Sequence, residues 1–210
     1  MKNLLNITKK QNYLKMYKVT PSLLDKFRTT RAGLFDKPIE ELISYIKGEF
    51  IPSPEMEFGT SIHRYFETGN EALLHEKEIE QLRPFYKIHS SFPKEIANKI
   101  ELLPGIIVSS KADELIGHIL HEFKTGQRFW GVNMYDSSIQ WKVYCLLFES
   151  PKIVYHHFAY YKPIYQKWAN FSYRRFSFYA YVSMERDIKD IIDDFIEFVK
   201  VQGLEKYITI

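Results

Sequence analysis

A chain of 210 residues with 45% hydrophobic and 26% charged residues has the apolar content to bury a core, which excludes an intrinsically disordered chain. It has no window close to the roughly 18 uninterrupted apolar residues of a membrane span, and the apolar run near Met1 is too short for a secretory signal. A single cysteine, Cys145, excludes an intrachain disulfide framework and any four-cysteine zinc or iron–sulfur site, and points to a reduced, intracellular (cytoplasmic) setting.

The net charge of +3 is unevenly spread. Lys2, Lys9, Lys10, Lys15, Lys18, Lys26, Arg28 and Arg31 stand against Asp25 alone, so residues 1–31 carry +7 and the remainder −4. A basic arm of this kind fits a polyanionic partner, and equally a solvated lysine-rich terminus.

In chain order, Thr20-Pro21 reads as an N-cap followed by proline at the first helical position, with Leu23, Leu24, Phe27 and Leu34 as the apolar stripe. Asp36 ahead of Pro38 opens a second helix carrying Ile39, Leu42, Ile43 and Ile46. Pro52-Ser53-Pro54 marks a loop, and Phe58–Glu67 a third helix on which His63 and Glu67, four apart, share a face. Gly59 on that helix permits a close backbone approach to a neighbour. Residues 71–97 read as helical in pieces, interrupted by Pro84 and Pro93. Lys99–Leu103, Ile106–Asp113 and 118–124 then form a three-stranded antiparallel meander, turning at Pro104-Gly105 and near Gly117.

A helix over Asp136–Phe148 follows, with Ile139, Val143, Leu146 and Leu147 facing a core and Gln140 and Tyr144 paired on another face. Strands at 152–162 and 171–182 and a last amphipathic helix over 184–201 complete the chain. The Tyr and Phe residues of 155–181 fill the back of a sheet or, alternatively, stack on unpaired bases. This order of elements predicts one α/β domain over 1–210 with a mixed central sheet: an arm (1–18), a motif-bearing part (19–150) and completing strands and helix (151–210).

The chemistry concentrates in Lys111–Thr125. On a strand, Glu122 and Lys124 share one face while His121 and Phe123 share the other. Asp113, on the preceding strand, leans in as a second carboxylate. Two acids and a lysine converging at a strand end suit a divalent cation beside a phosphodiester. His118 and His121 flank this motif without an assigned role, and His156 and His157, adjacent on a strand, point to opposite faces and so do not chelate one ion together.

The elements Gly59-x-x-x-His63, Asp113, Glu122-Phe-Lys124-Thr-Gly126 and Gln140-x-x-x-Tyr144, in that order, resemble the PD-(D/E)xK nuclease superfamily, in its RecB-like branch of CRISPR-associated and phage-type exonucleases. Val19–Phe27 also looks like the serine/leucine helix that begins such domains, so the resemblance spans about residues 19–150. Two departures stand out: Ser110 occupies a position that is often glycine, and the cysteines that hold an iron–sulfur cluster in some relatives are absent.

The resemblance implies a restriction-endonuclease-like core with flanking helices and a Mg²⁺- or Mn²⁺-dependent nuclease without an iron–sulfur cluster. It implies His63, Asp113, Glu122 and the Phe123 carbonyl as metal ligands, and Asp113, Glu122, Lys124, Gln140 and Tyr144 as catalytic residues. Lys124 would orient or deprotonate the attacking water, or act purely by its charge. Gln140 and Tyr144 would position the lysine, the metal shell or the strand. Glu67 either supports the metal shell or is an ordinary surface acid.

The expected partner is DNA, as single strands or duplex ends, in recombination, repair or phage DNA processing. The chain has no G-x-x-x-x-G-K-[ST] loop, so a helicase or recombination protein would supply any unwinding. The alternatives are a non-catalytic nucleic-acid-binding module on the same fold and a sequence-specific endonuclease.

Overall fold

The computed structural model describes residues 15–33, 38–129 and 131–210. The elements run β1 (Tyr17–Val19), α1 (Pro21–Arg31), α2 (Ile39–Lys47), α3 (Pro54–Thr68), α4 (Glu76–His89), β2 (Lys94–Leu103), β3 (Ile106–Ile116), β4 (Ile119–Gly126), α5 (Val132–Asp136), α6 (Ile139–Leu147), β5 (Lys152–Tyr161), β6 (Asn170–Tyr179) and α7 (Met184–Val201). This is a mixed α/β architecture with the expected antiparallel meander, β2–β3–β4. Among the described residues no helix is long and apolar enough to cross a membrane.

Local chemistry explains most of the boundaries. Thr20 caps α1 by accepting from the Leu23 amide at 3.3 Å, with Pro21 in the first turn. The same pairing recurs at Ser53-Pro54, where Ser53 accepts from the Met56 amide. What looks like a loop is therefore the start of α3, four residues ahead of the expected Phe58. The expected opening of α2 at Asp36, and Leu34, lie outside the described residues; the helix itself follows Pro38 and ends at Gly48, whose φ of +73° suits a glycine C-cap.

Pro84 does not divide α4. It lies on the solvent face, where the helical carbonyl deprived of its N–H partner faces water, and the helix runs on to His89. A capping box between His75 and Glu78 begins it. From Lys94 onward the chain is strand. The helix expected over 136–148 is α6, which Ser138 caps by accepting from the Gln140 amide; a separate short helix, α5, ends at Asp136 ahead of it.

The sheet runs β1-β3-β4-β5-β6, with β2 also on β3. β2 pairs antiparallel along nearly the whole of one edge of β3. The other edge is shared. β1 pairs parallel with Ile106–Val108, and β4 pairs antiparallel with Glu114–Ile116. Residues 109–113 lie between these two partners, so the sheet opens there. β4 then runs parallel to β5 through Gly126, and β5 antiparallel to β6.

Apolar side chains pack on both faces. The larger cluster joins α1, α2, α6 and α7 to the sheet through residues such as Leu24, Phe27, Val143, Ile153, Tyr155, Ile188 and Phe195. The smaller brings Ile62, Tyr65 and Phe66 of α3 and Ile79 and Leu82 of α4 onto Phe123 and Phe158. There Phe66 stacks on Phe123 at 4.6 Å, a pair worth about 0.5–1.5 kcal/mol beyond its buried area. Of the aromatics of 155–181, Tyr155, Phe158, Tyr160 and Phe178 are buried in this packing, while Tyr161, Tyr165 and Tyr179 are exposed.

Four cations of the basic segment form ion pairs. Arg28 pairs with Asp25, which lies within the segment, whereas Lys15, Lys26 and Arg31 pair with Glu205, Glu41 and Asp194. These last three acids lie outside residues 1–31, so a charge sum over that stretch does not register them. Lys2, Lys9 and Lys10 lie outside the described residues.

Candidate active site

The opening in the sheet between β3 and β4 organises the site. Without a ladder partner, the backbone groups there turn to side chains. The Asp113 amide donates to Glu122 Oε1 at 3.0 Å, and the Phe123 amide donates to Asp113 Oδ2 at 2.7 Å. Each carboxylate thus holds the other strand's backbone, and both are fixed in the gap. In an extended strand the carbonyl of a residue points to the same edge as its N–H. The Phe123 carbonyl therefore faces Asp113, while its ring is buried on the α3 side.

Helix α3 delivers His63 and Glu67 from that side. His63 Nδ1 lies 3.8 Å from Asp113 Oδ2, and one ligand atom from each of His63, Glu67 and Asp113 falls within 4.8 Å of the others. This compact trio includes Glu67 rather than Glu122, whose oxygens face the Asp113 amide and Lys124. The close approach of α3 depends on Gly59, where an added Cβ would meet Thr125 Oγ1 at 2.6 Å. A cleft of about 820 Å³ opens beside His63, lined also by Gly59, Thr60, Thr125, Gln127 and Arg128.

From the opposite face come Lys124 and α6. Lys124 Nζ lies 3.5 Å from Glu122 Oε2 and donates to Gln140 Oε1 at 2.9 Å. Gln140 Nε2 in turn donates to the Tyr144 hydroxyl at 3.3 Å and to Ser22 Oγ on α1 at 3.2 Å. Asp25, also on α1, accepts from the Ile139 amide at 2.9 Å and so secures the start of α6. The serine/leucine helix thus braces the glutamine that holds the lysine. Lys124 also sits 5.3 Å above the Tyr155 ring, whose fully buried hydroxyl has no hydrogen-bond partner among the described residues.

The electrostatics favour a cation. Burial, and then the Asp113 charge, push the Glu122 carboxyl up to about 8. Burial and the charges of Glu95 and Asp113 raise Glu67. His63 is lowered by burial, against the pull of Asp113. Three acids crowded with partial loss of water, beside an imidazole, are a donor set whose repulsion a divalent ion relieves.

All the residues singled out in the sequence thus converge at one opening: His63, Asp113, Glu122, Phe123, Lys124, Gln140 and Tyr144. Ser22, Asp25 and Tyr155 join them through contacts remote in sequence. His118 stays outside, its carbonyl accepting from Ser150 Oγ. His156 and His157 point apart, His156 toward His121 and His157 Nδ1 to the Tyr135 hydroxyl at 2.6 Å.

No protein-family model and no curated protein sequence matches the chain. Among solved structures it is similar to SSO0001, at 17% identity over 88% of this chain and 77% of that one, with a TM-score of 0.53. It is also similar to the "putative exonuclease" from Eubacterium rectale, at 13% identity over 98% of this chain and 87% of that one, with a TM-score of 0.54. The chain therefore has the fold these structures share.

Proposed function

We propose that this chain is a divalent-metal-dependent deoxyribonuclease, hydrolysing phosphodiester bonds as an exonuclease on DNA ends or single strands. One observation carries the reading. The ligand atoms of His63, Glu67 and Asp113 lie within 4.8 Å of one another at the same gap that sets Glu122 beside Lys124. One imidazole among carboxylate and carbonyl oxygens suits Mg²⁺ or Mn²⁺, and the nitrogen tilts the preference toward Mn²⁺.

His63, Asp113, Glu122 and the Phe123 carbonyl would hold the ion, with Glu67 bound directly or through water. The bound ion would acidify a nearby water and neutralise a non-bridging phosphate oxygen. Lys124, fixed by Gln140, orients the attacking water and offsets negative charge as it builds on the phosphate. Tyr144 and Ser22 hold Gln140 in place. The cleft of about 820 Å³ beside His63, with Arg128 in its lining, would receive the nucleic-acid strand. Recombination, repair or phage DNA processing is the setting this chemistry suits, with a helicase or recombination protein supplying any unwinding.

The test is a digestion panel of 5′- and 3′-labelled single- and double-stranded DNA and closed circles, with and without Mn²⁺. Processive loss from ends is expected, abolished by orders of magnitude in Lys124→Ala with folding retained. Discrete fragments from closed circles would instead indicate an endonuclease. Binding without cleavage of any substrate would leave only a nucleic-acid-binding module.

A further inference from the structure

A second cluster of metal-binding side chains lies outside the gap between β3 and β4, on the α3/α4 side of the sheet. His89 ends α4, His121 is on β4 and His156 on β5, with 5%, 9% and 4% of their surfaces exposed. One ring nitrogen from each falls within 4.8 Å of the other two. His121 Nδ1 and His156 Nε2 face each other at 2.8 Å, and the His89 ring lies 4.8 Å from that of His156 and 5.8 Å from that of His121.

Each supporting ring is held from behind. His89 Nδ1 meets Glu114 Oε2 at 2.5 Å, and Glu114 is fully buried and in turn paired with Lys94. His156 Nδ1 meets the Tyr173 hydroxyl at 2.9 Å. Phe123 walls the cluster at 5.2 Å from the His89 ring and 5.3 Å from the His156 ring.

We propose that His89, His121 and His156 form a structural Zn²⁺ site that ties the end of α4 to β4 and β5. Two imidazoles facing nitrogen to nitrogen share a single proton, and that accounts for a pair. It gives no reason for a third imidazole to converge on the same point. Three imidazoles converging from three elements are a nitrogen donor set that zinc takes, with a water completing the tetrahedron. A carboxylate behind a ligating histidine, as Glu114 stands behind His89, is the usual support that fixes such a ring.

The required adjustment is small. Tetrahedral zinc with Zn–N of about 2.0–2.1 Å sets its ligand nitrogens roughly 3.3 Å apart, so the His121–His156 pair opens slightly while His89 closes in. Three cations oppose the ion: Lys94, which Glu114 already balances, and Arg175 and Lys152, which act on His121. His121 precedes Glu122 in sequence, so the zinc would also stiffen β4 beside the gap without entering it.

The test loads the full chain with Zn²⁺, removes weakly held metal by dialysis, and measures zinc per chain. The Asp113→Asn variant separates this site from the cluster of His63, Glu67 and Asp113. Wild type and Asp113→Asn should both retain one zinc, and X-ray absorption of the Asp113→Asn protein should give an imidazole-nitrogen shell. Co²⁺ in its place should give the visible absorption of a low-coordinate site. His156→Gln and His89→Gln should each lose the retained metal, and Glu114→Gln should weaken it about 10- to 100-fold.

Failure of wild type and Asp113→Asn alike to retain zinc overturns the proposal, as does unchanged retention in a histidine variant. If the histidine variants do not fold, the absorption spectrum of the Asp113→Asn protein decides on its own. Absence of nuclease activity leaves the proposal standing, since none of these readouts depends on cleavage.

Discussion

Glu122→Gln in the metal-free protein is the sharpest probe of the electrostatics at the gap. Glu122 is 2% exposed, and burial together with Asp113 raises its carboxyl to about 8. The unfolded chain gives up this proton near the ordinary carboxylate value, whereas the folded chain keeps it. Stability is therefore full below about pH 4 and falls as the pH rises toward 8, because folding must either retain a proton or bury a charge. At about 1.4 kcal/mol per unit of displacement, the cost at pH 7 is on the order of 3 kcal/mol.

Glutamine resembles the protonated acid, and its side-chain carbonyl still accepts from the Asp113 amide. Metal-free Glu122→Gln should therefore be more stable than wild type by up to about 3 kcal/mol at pH 7, and equal to it near pH 4. Denaturant unfolding across that range measures the difference. Added Mn²⁺ should reverse the order, stabilising wild type more than the variant, and wild-type Mn²⁺ affinity should rise with pH up to about 8. A variant that is no more stable than wild type at pH 7, or a difference that does not change with pH, would refute the argument that Glu122 is held against its charge.

The other predictions concern the groups around the gap. Gly59→Ala puts a methyl 2.6 Å from Thr125 Oγ1 and should push His63 away from Asp113, weakening Mn²⁺ binding; Thr125→Ala in the same chain should restore it, and additive effects in titration calorimetry would exclude the contact. Gln140→Ala releases Lys124 and should lower turnover about 10- to 100-fold with Mn²⁺ affinity unchanged, read from steady-state cleavage and metal titration. Tyr155→Phe removes a buried hydroxyl without a partner and should be neutral or stabilising by about 1 kcal/mol in thermal unfolding; a clear loss would mean that the hydroxyl is bonded.

The sequence made legible what depends on neighbours in the chain. The meander, the Gly117 turn and the last helix over 184–201 follow from period and punctuation; the structure has the turn and the helix at those bounds and starts the meander five residues earlier, at Lys94. Misreadings arose where one residue type has two uses. Proline at 54 starts a helix when a serine precedes it, and proline at 84 is tolerated when its face is solvent, and neither fact is visible in the residue itself. The partners of Lys15 and Arg31, Glu205 and Asp194, are reached only through the fold and so are absent from a charge sum over residues 1–31.

The site divides along the same line. Strand alternation alone places Glu122 with Lys124 and turns His121 and Phe123 away, and β4 does this. Alternation cannot say that β3 shares one edge between β1 and β4, and that sharing leaves residues 109–113 open. The opening is what lets the two faces of the sheet meet. His63 and Glu67 arrive from the α3 side, and Lys124 and Gln140 from the α6 side. Asp113 and Glu122 stand between them because each accepts a backbone amide that has no strand to pair with. The stretch of β3 left open on one edge and the two carboxylates are thus one feature. A substitution that let β4 pair onward past Glu114 would close the site without touching a single ligand.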